Sequence, residues 1–474
     1  MNIRATLALV LIAAGLGLYV YLAELRGERQ RQGAESVAKR LLTLEVDQIT
    51  ALEVPLEGGG RAKLVRSGDA GAEDWQLEAP LEFAADAGFV SHLVSSLSRL
   101  ESEAVIEDPP QDLAPFGLGE GRRPVRVWTG EGEPTVLYLG GAAPLGSALY
   151  VALEGQGEKL FTVAQRDAGA LEPRLLDLRD RSLVSFQADE VKRLRVSEFG
   201  RLVALVERVE PEQEEKNGDW QMLEPGHDRA DGERVRRLLQ DLALAQATDF
   251  VDEPGPLEEY GLDSPELELI VETEQSTQRL RIGRVQDQGY VRVNDGSLVY
   301  QTSDRVLLNV PRKPFAYRYK RVLELDITAV RRIELDFPRD SAAHSFVRED
   351  SKWVSEDAEA QVKSLSVEDV LYALEDLQAT SVVEGSSDRA ALGLDPPRVR
   401  VSVFDASRAE LGWLELGDPE LNAGMGARSS ANDRLWRVDN DVGVDIPLSL
   451  EAFRTNFLEE AEEEPEPEAL DTES

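Results

Sequence analysis

The 474-residue sequence contains no cysteine, so disulfides, thiol catalysis, thiolate metal sites and a lipid-modified N-terminal Cys are all excluded. A cysteine-free chain is compatible with either side of a membrane, and the redox compartment stays open. Histidine is almost as scarce: His92, His227 and His344 are the whole complement, and they fall at unrelated points of the repeat described below. A site multiplied by duplication would place them equivalently, so they read as surface or helix-face residues. Neither a Gly-x-Ser-x-Gly elbow nor a Gly-x-x-x-x-Gly-Lys-Ser/Thr phosphate loop occurs. Positive charge is short as well, with 52 Lys and Arg against 90 Asp and Glu and a net charge of -38. Proteins hold nucleic acid and anionic lipid through Lys and Arg, which argues against both as partners. A solvated acidic surface is the plain reading of that charge, and a cationic partner the sharper one.

What the chain does have is a landmark that occurs three times. Trp75, Trp220 and Trp353 precede by 42, 41 and 40 residues the glycine of a short turn, Phe116-Gly117-Leu118, Tyr260-Gly261-Leu262 and Leu392-Gly393-Leu394. Between each Trp and its Gly lies an apolar pattern at i, i+3, i+4, i+7: Val90, Leu93, Val94, Leu97, then Val235, Leu238, Leu239, Leu242, then Val367, Val370, Leu371, Leu374. That spacing predicts one amphipathic helix per copy. Strand-like runs follow each turn and carry a second glycine, Gly140, Gly283 and Gly417. The copies also open alike, at Arg40-Leu41-Leu42, Arg181-Ser182-Leu183 and Arg321-Val322-Leu323. A unit of about 140 residues is the size of a domain rather than of a solenoid repeat.

The expected organisation is therefore α+β: one N-terminal transmembrane helix followed by three tandem copies of a mixed strand/helix domain. The boundaries are an anchor over 1–23, a charged linker over 24–39, repeat domains over 40–180, 181–320 and 321–457, and an acidic disordered tail over 458–474. The anchor rests on Ala5 to Ala23, a run without a charge that would span ~28 Å as a helix, close to the ~30 Å hydrocarbon core. A cleaved signal peptide is the rival, but its apolar region is usually shorter and Tyr21 stands where a small residue would be wanted. Arg26, Arg29 and Arg31 after the run, against Arg4 before it, lean toward a cytoplasmic body by the positive-inside rule.

Several features invite a chemical reading and each has a plainer one. Asp263 and Asp395 follow the turn in the second and third copies, yet the first copy has Gly119 there and no nearby Asp. The plainer reading has Gly supplying positive φ, Leu plugging the core and Asp closing a turn. The three Trp residues read as core or strand-end anchors before they read as stacking platforms. Asp439-Asn440-Asp441-Val442-Gly443-Val444-Asp445 alternates oxygen ligands around a glycine, but it lacks the sixth-position glycine and terminal Glu of a calcium loop. It reads as a polar turn. No residue is singled out as catalytic, cofactor-binding or metal-ligating.

The apolar run ending in Leu18-Tyr19-Val20-Tyr21, the Arg-Leu-Leu start, Trp followed by Pro80 or Pro225, the Tyr-Gly-Leu-Asp-Ser-Pro turn and the Gly140, Gly283 and Gly417 strands together resemble the bacterial domain of unknown function DUF4340. The resemblance covers nearly the whole chain outside the linker and tail. It implies a membrane-anchored protein with its body outside the cytoplasm, associated with an ABC-2-type transporter and its auxiliary subunits, and it carries no catalytic residues. The expected function is a non-enzymatic accessory or scaffold protein of the bacterial envelope that contacts an ABC permease and auxiliary subunits and binds no nucleic acid. The alternative is a hydrolase of envelope polymers using carboxylates such as Asp263 and Asp395 at an inter-domain cleft.

Overall fold

Alternating burial governs most of the chain: Leu267–Thr273 buries Leu267, Leu269 and Val271 and turns the residues between them outward. Period-two burial is the signature of strands with one face in a core. A computed structural model describes residues 39–68, 74–106, 111–144, 147–155, 159–209, 220–356, 362–383 and 389–458. These residues form two units, one of Met1–Leu183 with Ala245–Pro254 and Ser297–Thr302, the other of Val184–Leu244, Gly255–Gly296 and Ser303–Ser474.

The first unit holds a nine-stranded antiparallel sheet. From one edge the order is Phe83–Ala84, Trp75–Ala79, Arg61–Arg66, Ala51–Pro55, Arg123–Trp128, Thr135–Ala142, Ala148–Leu153, Leu160–Ala164 and Ala104–Ile106. The helix Ala87–Ser98 leaves one edge strand and returns the chain to the other. Its buried face, Val90, Leu93, Val94 and Leu97, shares one core with Leu52, Leu64, Trp75, Leu137 and Val163. The same unit contains the antiparallel pair Asp249–Val251 with Val299–Thr302, the counterpart of Ala104–Ile106 with Leu160–Ala164.

In the second unit the order recurs twice. Asp228–Arg229, Trp220–Glu224, Arg201–Arg208, Val191–Glu198, Leu267–Thr273, Thr277–Val285 and Gln288–Val293 follow one another as antiparallel neighbours. An eight-stranded sheet runs Lys352–Ser355, Ala342–Glu349, Arg332–Phe337, Val399–Phe404, Glu410–Glu420, Gly424–Ser429, Asn432–Val438 and Ala379–Val383. Helices Gly232–Ala243 and Ser364–Asp376 bury the expected apolar positions. Asp86 and Asp231 cap the first two helices through the backbone N–H groups of Phe89 and Arg234, each contributing about 1 kcal/mol. The third starts at Lys363, which makes no side-chain cap.

Two expectations are corrected. The architecture is antiparallel β rather than α+β, because the runs before each Trp and after each turn all pair into one sheet, leaving a single long helix per sheet. No helix among the described residues is long and apolar enough to cross a membrane. The longest, Ser364–Asp376, has 13 residues, with Asp369 and Asp376 exposed, and would span only ~20 Å. The run Ala5 to Ala23 on which the transmembrane helix was expected lies outside the described residues, as does nearly all of the acidic tail.

The two landmark glycines of each copy meet in space. Gly117, Gly261 and Gly393 have φ of 74°, 65° and 68°, and their turns close through Leu118, Leu262 and Leu394 N–H groups donating to the carbonyls of Leu113, Leu257 and Arg389. A Cβ on the strand glycine would press on the turn: at Gly140 it would lie 2.5 Å from the Phe116 oxygen, at Gly283 2.4 Å from that of Tyr260, and at Gly417 1.9 Å from that of Leu392. Backbone cannot yield as a side-chain tip can. Gly417→Ala is therefore expected to destabilise the fold by about 2 kcal/mol in a thermal or denaturant melt. Gly169→Ala, at φ -61° with open space around it, should be neutral within about 0.5 kcal/mol.

Candidate functional site

The residues singled out in the sequence turn out to be chiefly architectural. Trp75, Trp220 and Trp353 are 3%, 1% and 2% exposed, too buried to stack on a ligand. Each stands directly across the strand pair from an arginine, Arg66, Arg208 and Arg348, whose guanidinium carbon lies 4.9, 5.6 and 5.8 Å from the indole centroid. These cross-strand cation–π pairs escape sequence reading because the intervening loops differ, placing the Arg 9, 12 and 5 residues before its Trp. Leu118, Leu262 and Leu394 are buried plugs, whereas Asp263 and Asp395 are exposed on turns of separate sheets.

In the third copy the turn is held by Arg339 instead of by Asp395. Arg339 donates to the carbonyls of Gly393 at 2.9 Å and Pro396 at 3.0 Å, and to Asp418 at 2.8 Å; Arg398 donates to the same carboxylate at 2.7 Å. In the first copy Arg123 donates to the Gly140 carbonyl and to Glu172. His92 and His227 are exposed, and His344 stacks on Phe453 with ring centroids 4.4 Å apart. In the calcium-like stretch the Asp439 carboxylate accepts from the Asp441 N–H and the Asn440 amide donates to the Glu420 carbonyl, which are the bonds of a turn. Among the described residues no three His, Asp or Glu side chains are grouped as metal ligands.

Concavity appears where the connectors leave one copy for the next. The connector 178–183 is backbone-bonded on both sides: Asp86 N–H donates to Leu178 and Asp180 N–H to Ala84, while Leu183 N–H donates to Ala245 and Ala247 N–H to Arg181. Connector 317–322 repeats this with Asp231 to Tyr317, Tyr319 to Arg229, Val322 to Leu377 and Ala379 to Lys320. Inside the first unit Arg179 is 3% exposed, with its guanidinium carbon 3.7 Å from the Phe250 ring centroid and 4.3 Å from that of Phe83, and both terminal nitrogens on Asp252.

A pocket flanks each connector. The first, about 480 Å³, is walled by Asp74, Asp86 and Asp180 with Ser182 and Gln246, and contains no Lys or Arg. The second, about 300 Å³, is walled by Arg229, Arg236, Lys320 and Arg321 with Asp231, Glu233, Tyr319 and Gln378. It adjoins a pocket of about 400 Å³ across Arg229, Tyr319 and Arg321. Burial and the Glu324 carboxylate push the Tyr319 phenol above its ordinary range, keeping it protonated as a donor.

The Arg339 clamp has a pH signature. Its hydrogen bond, followed by that of Arg398, holds the Asp418 carboxyl below the usual Asp range against the opposing effect of burial. A depressed folded-state pKa contributes stability above the unfolded value and loses it as pH falls through the folded one. The melting-temperature gap between wild type and Asp418→Asn is thus expected to be constant above about pH 5 and to close as pH drops below about 4.

Among known proteins, the model of DUF4340, a domain of unknown function, matches residues 75–219 and again 220–397. Both matches begin at a landmark Trp, inside a sheet rather than at a connector. No curated protein matches. Two structures of the DNA polymerase sliding clamp from Pseudomonas aeruginosa, one with a ligand, align with 85% of this chain and with 95% and 94% of their own, at 10% and 9% identity. Their TM-score of 0.13 carries no argument about fold or function. The two consecutive family matches span well over half of the chain, which belongs to the DUF4340 family.

Proposed function

We propose that this protein is a non-enzymatic accessory or scaffold component of the bacterial envelope, working beside an ABC-type transport system with its body outside the cytoplasm. The observation that supports this most is the use of the repeated residues. Trp, turn Gly, strand Gly and helix face all go into packing, and the connectors are tied by backbone bonds on both sides. A chain built this way offers extended sheet and loop surface to partners. The hydrolase alternative has less support, since Asp263 and Asp395 are exposed on turns of different sheets instead of sharing one cleft wall. The envelope location rests on the uncharged run Ala5 to Ala23 in the sequence and not on any described helix.

Crosslinking in intact membranes followed by affinity capture of the full chain is expected to recover ABC permease, ATPase or auxiliary subunits. Capture under mild detergent without any transporter component would overturn the accessory reading, and a C-terminal reporter active only in the cytoplasm would overturn the placement.

A further inference from the structure

The two connector pockets share a frame and differ in charge. Both are built from the connector backbone, the Asp that caps one copy's long helix (Asp86 or Asp231) and a glutamine that follows the next copy's long helix (Gln246 or Gln378). On this frame, Ala84 of the first copy corresponds to Arg229 of the second, Ser91 to Arg236, Asp180 to Tyr319 and Ser182 to Arg321. The changes convert an acidic recess into a basic one. In a chain with 90 carboxylates, that concentration of cations needs a cause.

Internal ion pairing accounts for only part of it. Lys320 pairs with Asp231 at 3.1 Å, Arg229 with Glu324 while lying 4.1 Å from the Tyr319 ring, and Glu233 is taken by Arg237 at 2.7 Å. In the adjoining pocket Asp228 is shared by Arg318 and Arg434. The carboxylates lining both recesses are thus already engaged. Arg236 and Arg321 line the same 300 Å³ pocket, and their side chains make no hydrogen bond or ion pair with any described residue, although the backbone of Arg236 is helical and that of Arg321 bridges Gln378. Arg236 is half-buried and Arg321 exposed at this recess; like charges there repel each other, and planar guanidinium forks match carboxylate and phosphate oxygens.

We propose that this pocket binds a small organic dianion, a phosphomonoester or a dicarboxylate, with Arg236 and Arg321 donating to its charged oxygens and Lys320 and Tyr319 bordering it. The volume lies at the small end of ligand sites, which suits a compact anion and not a polymer. The protein's net negative charge does not bar entry, because salt screens the distant carboxylates beyond ~8 Å at physiological ionic strength. Binding is selective within the chain: the equivalent recess, with Asp74, Asp86 and Asp180, rejects the same ligand. The inference does not depend on the envelope placement or on any transporter.

The test is calorimetric titration of the full chain with inorganic phosphate and, separately, succinate. Saturable binding of either at one site per chain is expected, weakening as salt rises, and whichever binds more tightly identifies the anion class. Arg236→Gln and Arg321→Gln are each expected to weaken it roughly tenfold, the loss of one charge-assisted hydrogen bond, with melting temperatures unchanged. Ser182→Asp in the first pocket should leave the titration as in wild type. Absence of saturable binding of both probes up to millimolar concentration at low salt would overturn the proposal, as would full retention of binding by the Arg236→Gln, Arg321→Gln double variant.

Discussion

Backbone pairing of the connectors is the constraint on which the rest depends. A segment passing from one copy to the next must satisfy its N–H and C=O groups or expose them. Here residues 178–183 and 317–322 each bond on one side to the residues leading into a long helix and on the other to the residues following the next. Those bonds bring the capping Asp, the post-helix Gln and the connector side chains to one place. Whatever side chains the connector carries then become the lining of a recess, so charge there is free to change without altering the frame.

A second close contact orients each sheet internally. The turn after the helix approaches a strand so nearly that only glycine fits on the strand, with a left-handed glycine opposite. The arginines that reinforce this approach differ between the first and third copies: Arg123 acts on Gly140, while Arg339 acts on Gly393 and Pro396. Backbone geometry is repeated where side-chain chemistry is not. The same division runs through the pockets, which are acidic beside Asp180 and basic beside Arg321.

The helix faces were legible because i, i+3, i+4, i+7 burial leaves a direct imprint on apolar spacing; Val235, Leu238, Leu239 and Leu242 are all buried as read. The class was not legible, because one helix among several strands fits α+β as well as β until the pairing of distant strands such as Val191–Glu198 and Leu267–Thr273 is known. The pairs Arg66 with Trp75 and Arg348 with Trp353 were invisible since a cross-strand partner depends on hairpin length. The basic pocket was hidden for a similar reason: Arg236, Lys320 and Arg321 come from a helix and a connector more than 80 residues apart.

The repeat, the three long helices, the positions of the recurring glycines and the family are all carried by local spacing along the chain. Strand pairing into antiparallel sheets, the contact of the paired glycines and the gathering of Arg236, Lys320 and Arg321 in one recess with Tyr319 are set by the tertiary fold. Those outcomes depend on which distant strands and connectors become neighbours, and hydrogen-bond pairing across dozens of residues leaves no periodic trace in the chain.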